Sequence, residues 1–193
     1  MNHPTMRLLP CLLLLVLSAP EFVAGAPRER PATWAVPVID STLGNFYRVS
    51  DDLYRCEQPD KPDIPDLQGL GIRSFLNLRE YHTDSKTFEQ AGFRLLLQRM
   101  DAGELTVADL VAALRQIRTA AKPVLVHCWH GSDRTGSVVA AYRIVFQNWT
   151  PAAALDELRH GGYGYHEKSF PNIVTLFQHL DAIELRRQVL AEK

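Results

Sequence analysis

Cysteine is scarce in this chain of 193 residues, which has three cysteines beside 12 prolines and 11 glycines. Cys11 lies in the apolar N-terminal stretch, so the rest of the chain holds only Cys56 and Cys128. So few cysteines exclude a small fold held together by several disulfides, and a chain of this length can bury a core without them. The two remaining thiols could still form one bond in an oxidising compartment.

An excess of charge of one sign is also lacking. The chain has 21 Lys and Arg residues against 22 Asp and Glu residues, and its formal net charge is −1. This balance gives no indication of a nucleic acid or an anionic membrane surface as partner. The hydrophobic fraction of 46% is ordinary for a globular protein. We therefore expect a globular, monomeric protein that binds no nucleic acid.

Long hydrophobic runs are missing too. Residues 8–17 are apolar apart from Pro10, and this run is too short for a comfortable membrane span. Arg7 precedes the run, and an Ala-Gly-Ala triplet at 24–26 offers the small residues that a signal peptidase reads. The pattern predicts a signal peptide over 1–26 and a periplasmic or secreted protein without stable membrane insertion. An uncleaved membrane anchor is the alternative.

The rest of the chain divides into a leader and one domain. Residues 27–44 are rich in Pro, Ala and polar groups and predict a flexible, exposed leader. Residues 45–193 are expected to form the one folded domain, in which strands alternate with helices. The expected strands are 46–49, 53–55, 72–78, 93–98 and 124–126. The expected helices are 64–70, 86–91, 106–120, 134–146, one that begins near 151, and a last one over 168–191.

Local signals mark several of these boundaries. Thr106 has the side chain that favours a helix N-cap, and Pro151 follows Thr150 at the favoured first helical position. The polar residues 50–52 lie between two strand-like pieces and predict a hairpin.

Strands separated by helices are typical of an α/β fold. We expect a central, mostly parallel sheet of about four to five strands flanked by helices. The apolar run 124–126 has the pattern of a fully buried parallel strand. The junction 126–134 would then lie at the carboxyl edge of the sheet, where ligands bind in open α/β folds.

This junction carries a cysteine and an arginine at a short spacing. Five residues separate Cys128 from Arg134, which opens the next helix. The backbone N–H groups of 129–134 can face a common centre, as does the positive end of the helix dipole, and such a nest binds a tetrahedral anion without a metal. Gly131 suits an unusual backbone angle. The guanidinium of Arg134 can close the cradle with two parallel hydrogen bonds.

The same groups act on Cys128. The N–H groups, the helix dipole and Arg134 favour its thiolate form, which is placed for in-line attack on a bound phosphate. Thr135 can donate its hydroxyl to the sulfur, and His127 is expected to support the loop from behind. The predicted substrate-binding residues are Trp129, His130, Gly131, Ser132, Asp133 and Arg134.

A leaving alkoxide or phenolate needs a proton, which a general acid near the mouth supplies. Asp101 is the candidate because it lies on the loop between strand 93–98 and helix 106–120, another loop at the carboxyl edge. Glu104 is the competitor on the same loop. A loop aspartate can also do no more than cap a turn, which is the alternative for Asp101.

The junction resembles the Cys-x5-Arg signature of the protein tyrosine and dual-specificity phosphatases. In those families His-Cys-x-x-Gly-x-x-Arg-Ser/Thr-Gly marks the active site, and this chain keeps every specified position over 127–136. Segments 53–59 and 71–79 are similar to a turn and a strand of the bacterial and plant-fungal members. The resemblance covers roughly 45–180 and is strongest to bacterial periplasmic tyrosine phosphatases.

The resemblance implies hydrolysis of a phosphoester through a phosphocysteine. Cys128 would be the nucleophile, Arg134 the phosphate clamp and Asp101 the general acid. Neither a cofactor nor a metal is expected, since the neighbouring side chains of His127 and His130 diverge from a common point. No Trp-Pro-Asp triplet marks the acid, so the assignment of Asp101 depends on loop position and spacing.

Cys56 departs from the resemblance, because relatives commonly have Ser there. In relatives this turn packs near the phosphate loop. The resemblance therefore implies that Cys56 can approach Cys128 as a redox partner and form a reversible disulfide. A plain buried thiol is the alternative.

The loop also bears on the substrate. Its variable positions hold one acid, Asp133, and no Lys, whereas phosphatases for highly phosphorylated inositols and lipids tend to place basic residues there. We expect a phosphorylated protein as partner, with phosphotyrosine in a deep pocket and also phosphoserine or phosphothreonine in a shallow one. The alternatives are a small-molecule phosphatase acting on nucleotides or inositol phosphates, a phosphate-binding pseudoenzyme and a sulfurtransferase.

Overall fold

The computed structural model describes residues 29–191. The predicted signal peptide over 1–26 lies outside the described residues. Within 29–191, none of the helices is both long enough and apolar enough to cross a bilayer.

Within the described residues, six strands form one sheet in the order β1-β2-β3-β6-β4-β5. They are β1 Val36–Pro37, β2 Tyr47–Ser50, β3 Leu53–Cys56, β4 Ser74–Asn77, β5 Arg94–Leu97 and β6 Val124–His127. The pairs β3–β6, β6–β4 and β4–β5 are parallel, and β1–β2 and β2–β3 are antiparallel. The predicted central, mostly parallel sheet is confirmed. It has one strand more than expected because the two-residue β1 is too short to leave a periodic pattern.

Seven helices flank the sheet within the described residues. They are α1 Ile64–Gly69, α2 Ser85–Phe88, α3 Val107–Thr119, α4 Asp133–Phe146, α5 Pro151–His160, α6 Pro171–Gln178 and α7 Ala182–Leu190. A short 3₁₀ turn, Lys61–Asp63, precedes α1. The prediction of one helix over 168–191 is wrong. The carboxylate of Asp181 accepts hydrogen bonds from the N–H groups of Ile183 and Glu184, which begins a new helix there.

The centre of the sheet is covered on both faces. All residues of β3, β4 and β6 are buried, as expected of strands between two layers of helices. Val124 and Val126 pack in the larger core with α3 and α4, whereas Leu125 packs with Phe75 in the smaller core on the other face. Nearly all of α4 is buried. The end of β6 and the beginning of α4 are therefore held in a fixed relation.

The segment expected to be a flexible leader is packed where the structure describes it. β1 pairs with β2, and Trp34 and Ala35 are buried. The guanidinium of Arg30 donates to the carbonyl of Ala35 and the hydroxyl of Tyr163, at 2.7 and 2.8 Å. From Arg30 onward the segment is thus part of the domain. The prediction missed this because Tyr163, one of the partners of Arg30, lies 133 residues further along the chain.

Candidate active site

The loop between β6 and α4 begins at Cys128, whose side chain is 2% exposed. Gly131 has the predicted unusual backbone angle, with φ at +69°. A Cβ at this position would lie 2.5 Å from the carbonyl carbon of Cys56. Both the backbone angle and the close approach of β3 therefore require glycine here.

Three successive carbonyl groups of the loop are bound by residues outside it. The Trp129 carbonyl accepts the N–H of Gln58 at 3.0 Å, and the His130 carbonyl accepts Nδ2 of Asn45 at 2.9 Å. Within 29–191, the backbone N–H groups of 129–134 have no acceptor. The loop thus presents a row of N–H donors to an anion, which is the predicted nest.

The third carbonyl is held by a buried cation. Arg55 is 1% exposed, and its Nη2 donates to the carbonyl of Gly131 at 2.5 Å. Its guanidinium carbon lies 3.7 Å from the ring centroid of Tyr163, and its Nε has no partner in the described part of the chain. Burial lowers the pKa of Arg55, while interaction with Tyr163, Glu157 and Cys128 raises it. Sequence reasoning missed Arg55, because its role depends on a contact 76 residues along the chain.

His127 supports the loop through a partner that sequence reasoning also missed. Its Nε2 donates to Oδ2 of Asp84 at 2.8 Å, and both side chains are buried. Gln58 donates to the other carboxylate oxygen at 3.2 Å. Burial acts to raise the pKa of Asp84, but its hydrogen bonds with His127 and Gln58 outweigh this and leave the pKa lowered. Asp84 is therefore an ionised, buried anchor behind the loop.

Arg134 lies in the first turn of α4, as predicted. Its Nη1 donates to the carbonyl of Met100 at 3.4 Å, which brings the next residue, Asp101, to the same side of the molecule. Asp101 is exposed, and its Oδ1 accepts the N–H of Gly103 at 2.8 Å. The carboxylate of Asp101 thus caps a turn, which is the alternative role stated above for this residue. Its loop is also in contact with Arg134, through the carbonyl of Met100. Glu104 is exposed on this loop as well.

Two of the predicted substrate-binding side chains face away from the cradle. The hydroxyl of Ser132 donates to the carbonyl of Tyr163 at 2.7 Å. Asp133 is buried and accepts the N–H of His166 at 2.9 Å. These side chains anchor the loop that follows α5, so only the backbone N–H groups of Ser132 and Asp133 can serve an anion. The sequence could not show this because it does not reveal where the loop after α5 lies.

The side chains of Trp129 and His130 lie at the rim. Trp129 is 53% exposed, and the guanidinium of Arg79 lies 4.1 Å from its ring centroid. Arg79 also donates to Oε1 of Gln58 at 3.0 Å. Burial lowers the pKa of Arg79, and repulsion from Arg134 lowers it further. A second arginine therefore stands near the cradle, in a position that sequence reasoning read only as the end of a strand.

The hydroxyl of Thr135 is buried and has no hydrogen-bond partner among residues 29–191. The predicted bond from Thr135 to the sulfur of Cys128 is thus not formed in this structure. A buried hydroxyl without a partner costs free energy, which an acceptor at the cradle would relieve.

The two thiols remain separate. Cys56 and Cys128 are both free and buried. Cys56 is the register partner of His127 and packs in the smaller core, whereas Cys128 packs in the larger one. Successive residues of a strand face opposite sides of the sheet. Burial, and then the proximity of Cys128, raises the pKa of Cys56 well above its usual value. The structure thus shows two free, buried thiols in different cores, and the reversible disulfide between them stays a prediction.

Among residues 29–191, no three His, Cys, Asp or Glu side chains are grouped so that they could hold a metal ion.

The site consists of a buried cysteine at a strand end, a row of free N–H groups and an arginine at a helix beginning. These features define the class of cysteine-dependent phosphatases. Residues 42–177 match the model of the tyrosine phosphatase family, and the chain belongs to that family.

The relatives agree with this class. The chain is 36% identical over 163 residues to the dual specificity protein phosphatase TpbA of Pseudomonas aeruginosa, covering 82% of this chain and 73% of that protein. A cysteine-to-serine variant of P. aeruginosa TpbA in complex with pTyr matches with a TM-score of 0.76 at 32% identity, covering 85% of this chain and 100% of that one. The inositol diphosphatase DSP3 of Arabidopsis thaliana is 28% identical over 159 residues, covering 76% of this chain and 75% of that protein. The prediction of a cysteine-dependent tyrosine or dual-specificity phosphatase is confirmed.

Proposed function

We propose that this enzyme hydrolyses phosphotyrosine in proteins through a phosphocysteine on Cys128. The observation that carries the proposal is the cradle itself. The carbonyl groups of 129–131 are all bound from outside the loop, which leaves N–H donors around a buried cysteine. The likeness to TpbA, which has been solved with pTyr, supports an aromatic phosphoester as substrate.

In the first step, the N–H groups of 129–134 and the guanidinium of Arg134 bind the phosphate oxygens. The thiolate of Cys128 attacks phosphorus, so that an S–P bond forms as the P–O bond to the phenol oxygen breaks. Asp101 donates its proton to the departing phenolate. This requires that the carboxylate leave its bond with Gly103 and turn toward the mouth.

In the second step, a water molecule attacks phosphorus and the S–P bond breaks. Cys128 leaves as thiolate, and inorganic phosphate is released. Asp101, now ionised, takes a proton from the water, so that the acid of the first step becomes the base of the second. The hydroxyl of Thr135, which has no partner among the described residues, can donate to the sulfur as charge returns to it.

Hydrolysis of inositol phosphates is the second candidate function. One observation favours it, because Arg79 adds a cation at the rim that a second phosphate could bind. DSP3, a relative at 28% identity, is named an inositol diphosphatase. Glu57 and Asp60 line the cleft beside Arg79, however, and their carboxylates would repel a substrate with several phosphates. We therefore place phosphoproteins first.

The decisive comparison is turnover of p-nitrophenyl phosphate, phosphotyrosine peptides and inositol phosphates by the protein from residue 27 onward. We expect activity without added metal and with a chelator present. Cys128→Ser should abolish turnover, and Asp101→Ala should lower kcat by about 10²-fold or more with phosphotyrosine, whose leaving group needs a proton. Glu104→Ala is the matched control and should stay active.

Two results would overturn the proposal. Full activity of the Cys128→Ser protein would exclude the cysteine as nucleophile. Equal activity of Asp101→Ala and wild type on phosphotyrosine would move the general acid elsewhere, with Glu104 as the next residue to test.

We also propose that the enzyme acts in the periplasm or outside the cell. The support is the signal-peptide pattern over 1–26, with its Ala-Gly-Ala triplet at 24–26. Mass spectrometry of the protein from its own cells should find a mature chain that begins at Pro27. An intact N-terminus in a cytoplasmic fraction would contradict this.

A further inference from the structure

A cleft of about 620 Å³ opens beside the phosphate cradle. Arg79 and Trp129, which are in contact, form one wall of the cleft, and Gln58 also lines it. The cleft lies on the side of the loop where Trp129 is exposed. A phosphotyrosine residue bound in the cradle would therefore have its neighbouring residues next to this wall.

The charge of Arg79 is not neutralised by an ion pair within residues 29–191. Its side-chain hydrogen bond goes to the neutral amide of Gln58. Asp84, the acid that interacts with it electrostatically, already accepts from His127 and Gln58. Contact with the Trp129 ring orients the guanidinium while leaving its charge uncompensated.

The positive charge of Arg134 repels that of Arg79. Arg79 also interacts electrostatically with Cys128. Two like charges near one site favour the binding of an anion that lies between them or beside them. The cradle and Arg134 already accommodate the phosphate, so Arg79 is available for another negative group of the substrate.

Building on the proposed function, we infer that Arg79 and Trp129 form a specificity subsite for an acidic side chain adjacent to the phosphotyrosine. Arg79 pairs with the carboxylate, and the Trp129 ring packs against the chain of the acidic residue. A single carboxylate fits better than further phosphates, because Glu57 and Asp60 line the same cleft. Arg79 is then a residue that selects among phosphoproteins.

The test uses pairs of phosphotyrosine peptides that differ only by Asp or Asn at one position, from two residues before the phosphotyrosine to two after it. For wild type, we expect kcat/KM to be about threefold to tenfold higher for Asp at one of these positions, as expected of a partly exposed ion pair at low salt. Arg79→Gln should bring this ratio close to one. Arg79→Glu should reverse it, so that a peptide with Lys at that position becomes the better substrate.

Arg73→Gln is the matched control. Arg73 precedes β4, whereas Arg79 follows it, and Arg73 is exposed at the opposite edge of the sheet. The preference for Asp should persist in this variant, and Arg79→Lys should retain part of it. Circular dichroism and the melting temperature of each variant show whether it is folded.

The inference would be overturned by a wild-type enzyme with no preference at any position, or by an Arg79→Gln protein that keeps the preference. Faster turnover of inositol polyphosphates than of every peptide, lost in Arg79→Gln, would assign Arg79 to phosphate instead. The Asn peptides separate this result from the proposed function. If wild type hydrolyses them and Cys128→Ser does not, phosphotyrosine hydrolysis stands whatever the fate of the subsite.

Discussion

At the scale of single residues, the phosphate loop depends on groups that lie outside its sequence motif. The signature over 127–136 supplies the cysteine, the glycine and the arginine. Arg55, Asn45 and Gln58 then turn the loop carbonyls away from the centre. Asp84 fixes His127 from behind. The loop can present its N–H groups to an anion because these contacts take up its other polar atoms.

Arg55 offers the sharpest test of this account. Replacing it by Met fills the space with an apolar side chain but leaves the carbonyl of Gly131 without its donor. We expect kcat/KM for phosphotyrosine peptides to fall by about tenfold to hundredfold, as for loss of a charged hydrogen bond. Inorganic phosphate should also inhibit more weakly, because the cradle loses a cation beneath it.

Arg55 is expected to support phosphate binding through both its hydrogen bond to Gly131 and its positive charge. A lysine at this position keeps the charge, so this variant separates the two contributions. Arg55→Lys should recover part of the phosphate affinity. Arg48→Met, which removes an exposed arginine on β2 that pairs with Asp51, should change neither quantity. Unchanged phosphate inhibition in a folded Arg55→Met protein would show that Gly131 needs no cation.

At the scale of helices and strands, local signals gave most of the boundaries. Thr106 caps α3 as predicted, and Thr150 accepts the N–H of Ala153 at the beginning of α5. The hairpin around 50–52 is present as β2 and β3. These features could be predicted because each depends on residues close together in sequence.

The predictions that differ from the structure concern segments whose placement depends on distant contacts, or a helix boundary at which two local patterns conflict. The break between α6 and α7 does have a local signal in Asp181, but the apolar pattern runs across it and suggested one helix. The packing of Arg30 on Tyr163 and the anchoring of Asp133 by His166 join segments far apart in the chain. The placement of Cys56 and Cys128 in different cores depends on strand register, which periodicity alone does not give, and the disulfide between them stays a prediction.

The cap of α7 can be measured separately. Asp181→Ala removes the acceptor for two backbone N–H groups and should lower the free energy of unfolding by about 1 kcal/mol. Asp66→Ala, which removes an exposed acid in α1, should have a smaller effect. Urea denaturation of both variants gives the comparison. A smaller loss for Asp181→Ala than for Asp66→Ala would contradict the assigned cap.

At the scale of the whole molecule, the buried pair of Asp84 and His127 both stabilises the fold and supports the phosphate loop. The pair joins the loop before α2 to the end of β6. The pKa of Asp84 is lowered in the folded protein, so its carboxylate stabilises the fold above the pKa of an unfolded aspartate, about 3.9. This contribution is lost as the pH falls through the lower folded value.

The pair therefore predicts a pH dependence of unfolding. Wild type should be more stable than Asp84→Asn at neutral pH, and the difference should shrink below about pH 4. Asp51→Asn is the control, because the Asp51 side chain is 93% exposed. Denaturation at several pH values gives the free energies. A difference that stays constant down to the lowest pH at which both proteins fold would contradict an ionised Asp84 in the folded state.

The most direct test of the central claim is to trap the covalent intermediate. p-Nitrophenyl phosphate, whose leaving group departs without a proton, is mixed with Asp101→Ala protein, in which breakdown of the phosphocysteine should be slow because the general base is missing. The reaction is quenched within its first turnover. Mass spectrometry of the digested protein should find one phosphoryl group on the peptide that contains Cys128. A first-turnover burst of p-nitrophenol with no phosphoryl group on Cys128, or with that group on another residue, would contradict the account.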